Sequence, residues 1–158
     1  MSHTNNFKRN EEIYQQLEDY LTNKEDGTIG GRVLVIFDAG LGKTPAALEY
    51  LQKHNCRGLV LCPTASIKNA WYKNNKSVDT VTYQTFAKSY MKYDFTKYGA
   101  LICDEAHHLE AEKWGTPIRH LLNNHIIKVI GLTTHPDRMD GINVISEIFD
   151  NKVCHELG

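Results

Sequence analysis

The chain has too few cysteines, too widely scattered, to be organised by them. Cys56, Cys62, Cys103 and Cys154 form no Cys-x-x-Cys pair, which argues against a disulfide framework and against structural zinc at its usual ligand spacing. Cys62 and Cys103 end apolar runs, where a reduced thiol serves as a small hydrophobe. No apolar run approaches the roughly 20 residues that cross a bilayer, and the N-terminus is polar. Net charge is only −1, so no global basic field advertises nucleic acid, although a local basic groove is compatible with that balance. Internal repeats, low-complexity tracts and a linker splitting the chain are missing as well. These absences leave an expectation of one ordinary soluble domain of 158 residues, long enough for a full core. It is expected to be cytoplasmic, or nuclear in a eukaryote, and not secreted.

What the sequence does contain is an alternation of short apolar runs with helical patterns. Apolar positions Ile13, Leu17, Tyr20 and Leu21 give a helix over about Arg9–Asn23, and the glycines of Lys24–Gly31 break it. Strands are expected at Arg32–Phe37, Gly58–Cys62, Asp79–Tyr83, Gly99–Cys103, Ile126–Leu132 and Lys152–Glu156. Helices are expected after the first strand to about His54, then over Ser66–Lys73, Gln84–Met91, Thr116–Asn123 and Ile142–Phe149. Continuous apolar strands alternating with helices predict an α/β fold, a mainly parallel sheet with helices on both faces. Right-handed crossovers then bring all strand carboxyl ends to one rim. Five polar segments converge there: Asp38–Thr44, Pro63–Ser66, Tyr83–Thr85, Asp104–His108 and Thr133–Arg138. Residues 1–31 read as an N-terminal helix and linker, and residues 32–158 as the α/β domain.

The first of those segments carries recognisable chemistry. A triphosphate needs several backbone N–H groups aimed at its oxygens. In Asp38-Ala39-Gly40-Leu41-Gly42-Lys43-Thr44, Gly40 and Gly42 let the backbone approach closely. The helix opening at Lys43 offers unpaired N–H groups and a positive dipole end. Lys43 can reach the β and γ phosphates, and the Thr44 hydroxyl can ligate Mg²⁺. Phe37 stands where the strict Gly-x4-Gly-Lys-Ser/Thr pattern has its first glycine. The competing reading is a plain strand–turn–helix with a chance Gly-Lys-Thr.

Asp104 and Glu105 directly follow the apolar run Ala100–Cys103. A carboxylate ending a strand beside a phosphate loop is placed to hold Mg²⁺, and its neighbour to polarise an attacking water. The plainer alternative is a solvated acidic turn. His107 and His108 could be read as metal ligands, but the four Cys/His ligands usual for structural zinc are missing.

At this point the sequence resembles the superfamily 2 helicases and translocases, over the first RecA-like domain from about Arg32 to the end. Gly40–Thr44 resembles motif I and Leu59–Thr64 motif Ia. Val81–Phe86 is similar to the segment around motif Ib. Asp104-Glu105-Ala106-His107 resembles motif II in its DEAH form, and Gly131–Gly141 motif III and its flank. The nearest likeness is to the branch holding type III restriction subunits and DNA-repair helicases. The resemblance implies a RecA-like P-loop domain binding ATP and Mg²⁺. Gly40, Leu41, Gly42, Lys43 and Thr44 would bind nucleotide, with Thr44 and Asp104 on the metal. Glu105, Lys43 and His107 would be the catalytic set, with Glu105 orienting or deprotonating water. Pro63, Thr64 and Thr85 would line a nucleic-acid groove, and Thr133, Thr134, His135 and Arg138 would couple hydrolysis to movement. Gln15 stands as a candidate for the adenine-reading glutamine, against a plainer reading as a solvent-facing helix residue. The implied partners are DNA, duplex ahead of single-stranded, with RNA as the alternative, and a second RecA-like domain.

Three departures qualify the pattern. Phe37 replaces a small residue, His135 replaces the second Thr of Thr-Ala-Thr, and no arginine matches the family's finger, which belongs to the second domain. A missing finger removes roughly 10³–10⁵ in rate. The chain is therefore expected to be inactive or weak alone. A different class of reading, a non-hydrolysing nucleotide- or partner-binding module, follows from the same departures. A small-molecule kinase on the same loop is a third, and it leaves motifs Ia and III without a purpose. Lys68, Lys73, Lys76, Lys88 and Lys92, with Trp71 and Tyr72 among them, form either a phosphate-binding groove or a solvated face.

Overall fold

The computed structural model describes residues 14–21, 31–37, 45–65, 67, 78–124, 128–134, 148–149 and 153–156. Among the described residues six strands form one sheet: β1 (Arg32–Phe37), β2 (Gly58–Cys62), β3 (Val78–Thr82), β4 (Ala100–Cys103), β5 (Val129–Thr133) and β6 (Val153–Glu156). Their order across the sheet is β3-β2-β4-β5-β1-β6, and every pairing is parallel. The described helices are α1 (residues 14–21), α2 (Pro45–Lys53), α3 (Tyr83–Ser89) and α4 (Glu112–Asn124).

The apolar runs become strands because burial on both faces accepts no polar alternation. All residues of β2, β4 and β5 are buried. Edge strand β3 is only partly buried: Val78 and Val81, three residues apart, lie in opposite cores, and Asp79 is exposed. Period-two geometry splits the interior strands between two cores. Val33, Val35, Val60, Ile102, Ile130 and Leu132 meet α1 and α2. Leu34, Leu59, Leu61, Leu101, Cys103 and Val129 face α3, α4 and Phe149. Cys62 and Cys103 fall in opposite cores and, with Cys56, are free thiols. Helix α2 ends in a Schellman arrangement, with Asn55 left-handed at φ 49°. Cys56 N–H reaches the Leu51 carbonyl at 3.0 Å, and Asn55 N–H reaches that of Gln52 at 3.1 Å.

Several boundaries differ from the sequence expectation. Tyr83 opens a helix rather than ending a strand, because the Thr82 side chain accepts from Thr85 N–H and caps it. That helix stops at Ser89, and Tyr90–Lys92 continue as a 3-10 turn. Helix α4 begins at Glu112, ahead of the expected Thr116, and carries Pro117 inside it. Ile148 and Phe149 form a turn, not the end of a helix. Phe149 is fully buried there against Gly131, whose missing side chain makes room for the ring. Of Ser66–Lys73, only Ile67 is described, in helical conformation. The rest of that segment, and Ile142 to Glu147, lie outside the described residues. Among the described residues, no helix is long and apolar enough to cross a membrane.

Candidate active site at the carboxyl rim of the sheet

With all strands parallel, the carboxyl ends share one rim. Along it Thr82, Cys62, Cys103, Thr133 and Phe37 end β3, β2, β4, β5 and β1 in spatial order. Cys103 pairs with Gly131, and Ile36 pairs with Thr133. β5 therefore lies between the strand that delivers Asp104 and the strand that leads into Asp38–Thr44.

Asp104 is 1% exposed, and backbone bonds on both sides hold it. Its N–H reaches the Leu61 carbonyl at 2.9 Å, and its own carbonyl accepts from the Tyr83 hydroxyl at 2.7 Å. Burial first, then the neighbouring thiol and carboxylates, keep the Tyr83 hydroxyl protonated well above its usual range. It therefore stays a donor to that carbonyl. Asp104 Oδ1 accepts from Glu105 N–H at 2.9 Å. Glu105 itself sits left-handed, at φ 47° and ψ 58°, a conformation costly for a residue with a Cβ.

The chain then makes a 3-10 turn over Ala106–Glu110. Ala106 and Leu109, three apart, are fully buried, matching three residues per turn. His107 turns inward at 8% exposure, and its Nδ1 lies 3.4 Å from Thr133 Oγ1, which is also buried. His108 turns outward, with Nε2 3.5 Å from Glu105 Oε2. The ends of β4 and β5 are thus linked by one imidazole and one hydroxyl.

On the β2 side a hollow of about 300 Å³ opens among Pro63, Thr64, Tyr83, Glu105, His108 and Trp114. Pro63 is half-buried and Thr64 exposed, and Thr64 Oγ1 accepts from Ile67 N–H at 3.3 Å. Thr85 is exposed in the first turn of α3, its Oγ1 bonded to that of Thr82 at 3.1 Å. Thr134 follows β5, half-buried. Tyr83 and His108 enter the sequence reading only as parts of converging rim segments, His108 also as a metal ligand weighed against zinc spacing, and Trp114 does not enter it. Tyr83 ends a run whose parallel neighbour leads into Pro63, a rim position; Trp114 carries no comparable signal.

Not every candidate is brought to this rim. Gln15 is exposed on α1 and donates to Asp19 at 3.1 Å. The neighbours of α1 are Lys53 over the Tyr14 ring, His54 beside Glu18, and Lys128 donating to the Leu21 carbonyl. These groups end α2 or precede β5, at the opposite side of the sheet. Gly40, Leu41, Gly42, Lys43, Thr44, His135 and Arg138 lie outside the described residues, as do Lys68, Trp71, Tyr72, Lys73 and Lys76.

In chemical terms the rim offers a buried carboxylate, a half-exposed carboxylate beside it, and a histidine tied to the next strand. The Asp104 carboxylate at the end of β4 is a hard oxygen donor of the type Mg²⁺ takes, so it fits that ion.

The family model "Type III restriction enzyme, res subunit" matches residues 68–138, a stretch that includes Thr85, Asp104–His107 and Thr133–Arg138. No curated protein matches by sequence. Among solved structures, the chain is similar to the helicase domain of Hef from Pyrococcus furiosus. Identity is 20% and the TM-score 0.64, with 91% of this chain and 38% of that one covered. It is also similar to the UvsW helicase of bacteriophage T4, at 19% identity and TM-score 0.56, covering 89% of this chain and 58% of that one. The α/β fold is that of RecA-like helicase domains, and the chain spans less than two thirds of either solved chain.

Proposed function

We propose that the chain is the first RecA-like, ATP-binding domain of a superfamily 2 helicase or translocase of DEAH type, from the branch of type III restriction subunits and DNA-repair helicases. The observation that carries this reading is the His107–Thr133 contact at 3.4 Å. It joins the Asp-Glu-x-His segment to the end of the neighbouring strand, beside the strand that enters the Gly-Leu-Gly-Lys-Thr loop. The helicase folds of the solved relatives and the match over residues 68–138 support the same reading.

In this reading Gly40–Thr44 bind the triphosphate, with Lys43 on the β and γ phosphates. Thr44 and Asp104 would hold Mg²⁺, which supplies charge neutralisation on the phosphates when bound. Glu105, left-handed and half-exposed with its carboxylate beside His108, accepts the proton of the attacking water. His107 transmits the state of that site to Thr133 and onward to Thr134, His135 and Arg138. Pro63, Thr64 and Thr85 bind the phosphodiester backbone of DNA, or of RNA. Full turnover requires a second RecA-like domain with an arginine finger, on the same or another polypeptide.

The test pairs ATP binding with hydrolysis. The chain should bind Mg-ATP, and Lys43→Ala should abolish that binding. With its second domain present, Glu105→Gln should keep ATP binding and lose 10²–10⁴-fold in turnover. Undiminished turnover removes Glu105 from its role, and failure of the wild-type chain to bind ATP overturns the whole reading.

A further inference from the structure

The 3-10 turn after β4 places three potential metal ligands together. One ligand atom each from Glu105, His107 and His108 lie within 4.8 Å of one another. Glu105 Oε2 and His108 Nε2 are already 3.5 Å apart. A tetrahedral zinc ion with bonds of about 2.0–2.1 Å holds its ligand atoms roughly 3.3–3.5 Å apart, so closing the set takes about an ångström of side-chain movement. Glu105 and His108 have that freedom, with side chains 39% and 38% exposed. His107 is the fixed member, its Nδ1 turned to Thr133 Oγ1. In the proposed site Nε2 would be the ligand, with a hydroxyl on the other ring nitrogen, the outer-partner arrangement usual for metal-bound histidine. The hollow beside Glu105 and His108 gives an ion a route in and room for a water ligand.

We propose that Glu105, His107 and His108 form a binding site for a borderline transition-metal ion of the Zn²⁺ class, separate from any Mg²⁺ held with nucleotide. Two imidazoles and one carboxylate select such an ion over Mg²⁺ or Ca²⁺, which prefer all-oxygen shells. Three protein ligands leave one position for water. Metal occupancy ties up the Glu105 carboxylate. On the functional reading above, and only on it, Zn²⁺ is then an inhibitor of hydrolysis that acts without displacing ATP.

The experiment is a Zn²⁺ titration of the nucleotide-free protein against a chromophoric chelator, with Co²⁺ visible absorption as a second readout of coordination. Wild type should bind one ion through this site. His108→Ala should weaken it by more than the ~10–100-fold expected from loss of an outer partner, and Thr133→Val by about that smaller factor. His120→Ala, which removes a histidine bonded to Tyr90 instead, should change nothing. Circular dichroism of each variant separates loss of ligand from loss of fold. Equal Zn²⁺ affinity in wild type and folded His108→Ala overturns the site. Zn²⁺ binding lost in His108→Ala supports it whether or not the protein hydrolyses ATP. Hydrolysis without this binding leaves the functional reading standing and removes the metal site.

Discussion

Glu105 carries both the proposed chemistry and a strained backbone. Its φ is 47°, its N–H is bonded to Asp104 Oδ1, and a left-handed residue with a Cβ costs on the order of 1–2 kcal/mol. Asn tolerates this region better than Glu. Glu105→Asn is therefore expected to raise stability by about 1 kcal/mol in urea unfolding while eliminating hydrolysis; stability equal to or below wild type would remove the strain argument. At this scale the sequence was legible where one residue type ends one strand: Asp104 and Glu105 stand out as acids after an apolar run. The partners of those residues were not legible. Tyr83 bonding the Asp104 carbonyl and Thr133 meeting His107 both depend on which strands become neighbours, and nothing local encodes that. Gln15 shows the converse, since a helix pattern alone gives no indication of which end of the sheet it packs against.

Elements were legible where burial dominates and less so where capping or close packing decides. β2, β4 and β5 are continuous apolar runs, and their residues could be read directly. The start of α3 turned on a single threonine hydroxyl, and α4 runs through a proline that would ordinarily mark a first turn. The Phe149 turn is set by the space over Gly131. A Cβ at Gly131 would meet Phe149 Cζ at 2.4 Å and Leu34 Cδ1 at 3.0 Å. Gly131→Val is expected to cost about 1–3 kcal/mol by overpacking, and an unchanged urea midpoint would refute that packing. At the edge, Asp79 of β3 accepts from Tyr98 Oη at 2.7 Å and from Arg57. The Tyr98 bond first, then Arg57, hold its carboxyl below the ordinary 3.8. The folded state thus favours the carboxylate, so the contribution is complete above about pH 4 and is lost as pH falls through the lower folded value. Both partners of the ion pair are about half exposed, which limits it to a few tenths to 1 kcal/mol. Asp79→Asn should lower stability by that amount at pH 7 and show no deficit near pH 2; an equal deficit at both would contradict the linkage.

For the molecule as a whole, charge balance gives no binding field, so any affinity for nucleic acid must come from local cations. Lys88 and Lys92 are exposed, on α3 and just after it, close in sequence to Thr85. If they meet phosphates, binding to duplex DNA should weaken steeply with salt, and Lys88→Glu with Lys92→Glu should reduce the log–log slope by about 1–2. A slope unaltered by both changes removes these lysines from the groove. The strand order has a consequence of another kind, in the timing of folding. Of the six described strands β1 is made before the others, yet its two neighbours, β5 and β6, are made after the rest. The strand entering the glycine-containing loop therefore waits, unpaired and apolar, while β2, β3 and β4 can already associate. Such distant pairings carry a large loop-closure cost and slow folding. Until Val129–Thr133 is made, β1 is an exposed strand edge that a chaperone or another nascent chain can occupy.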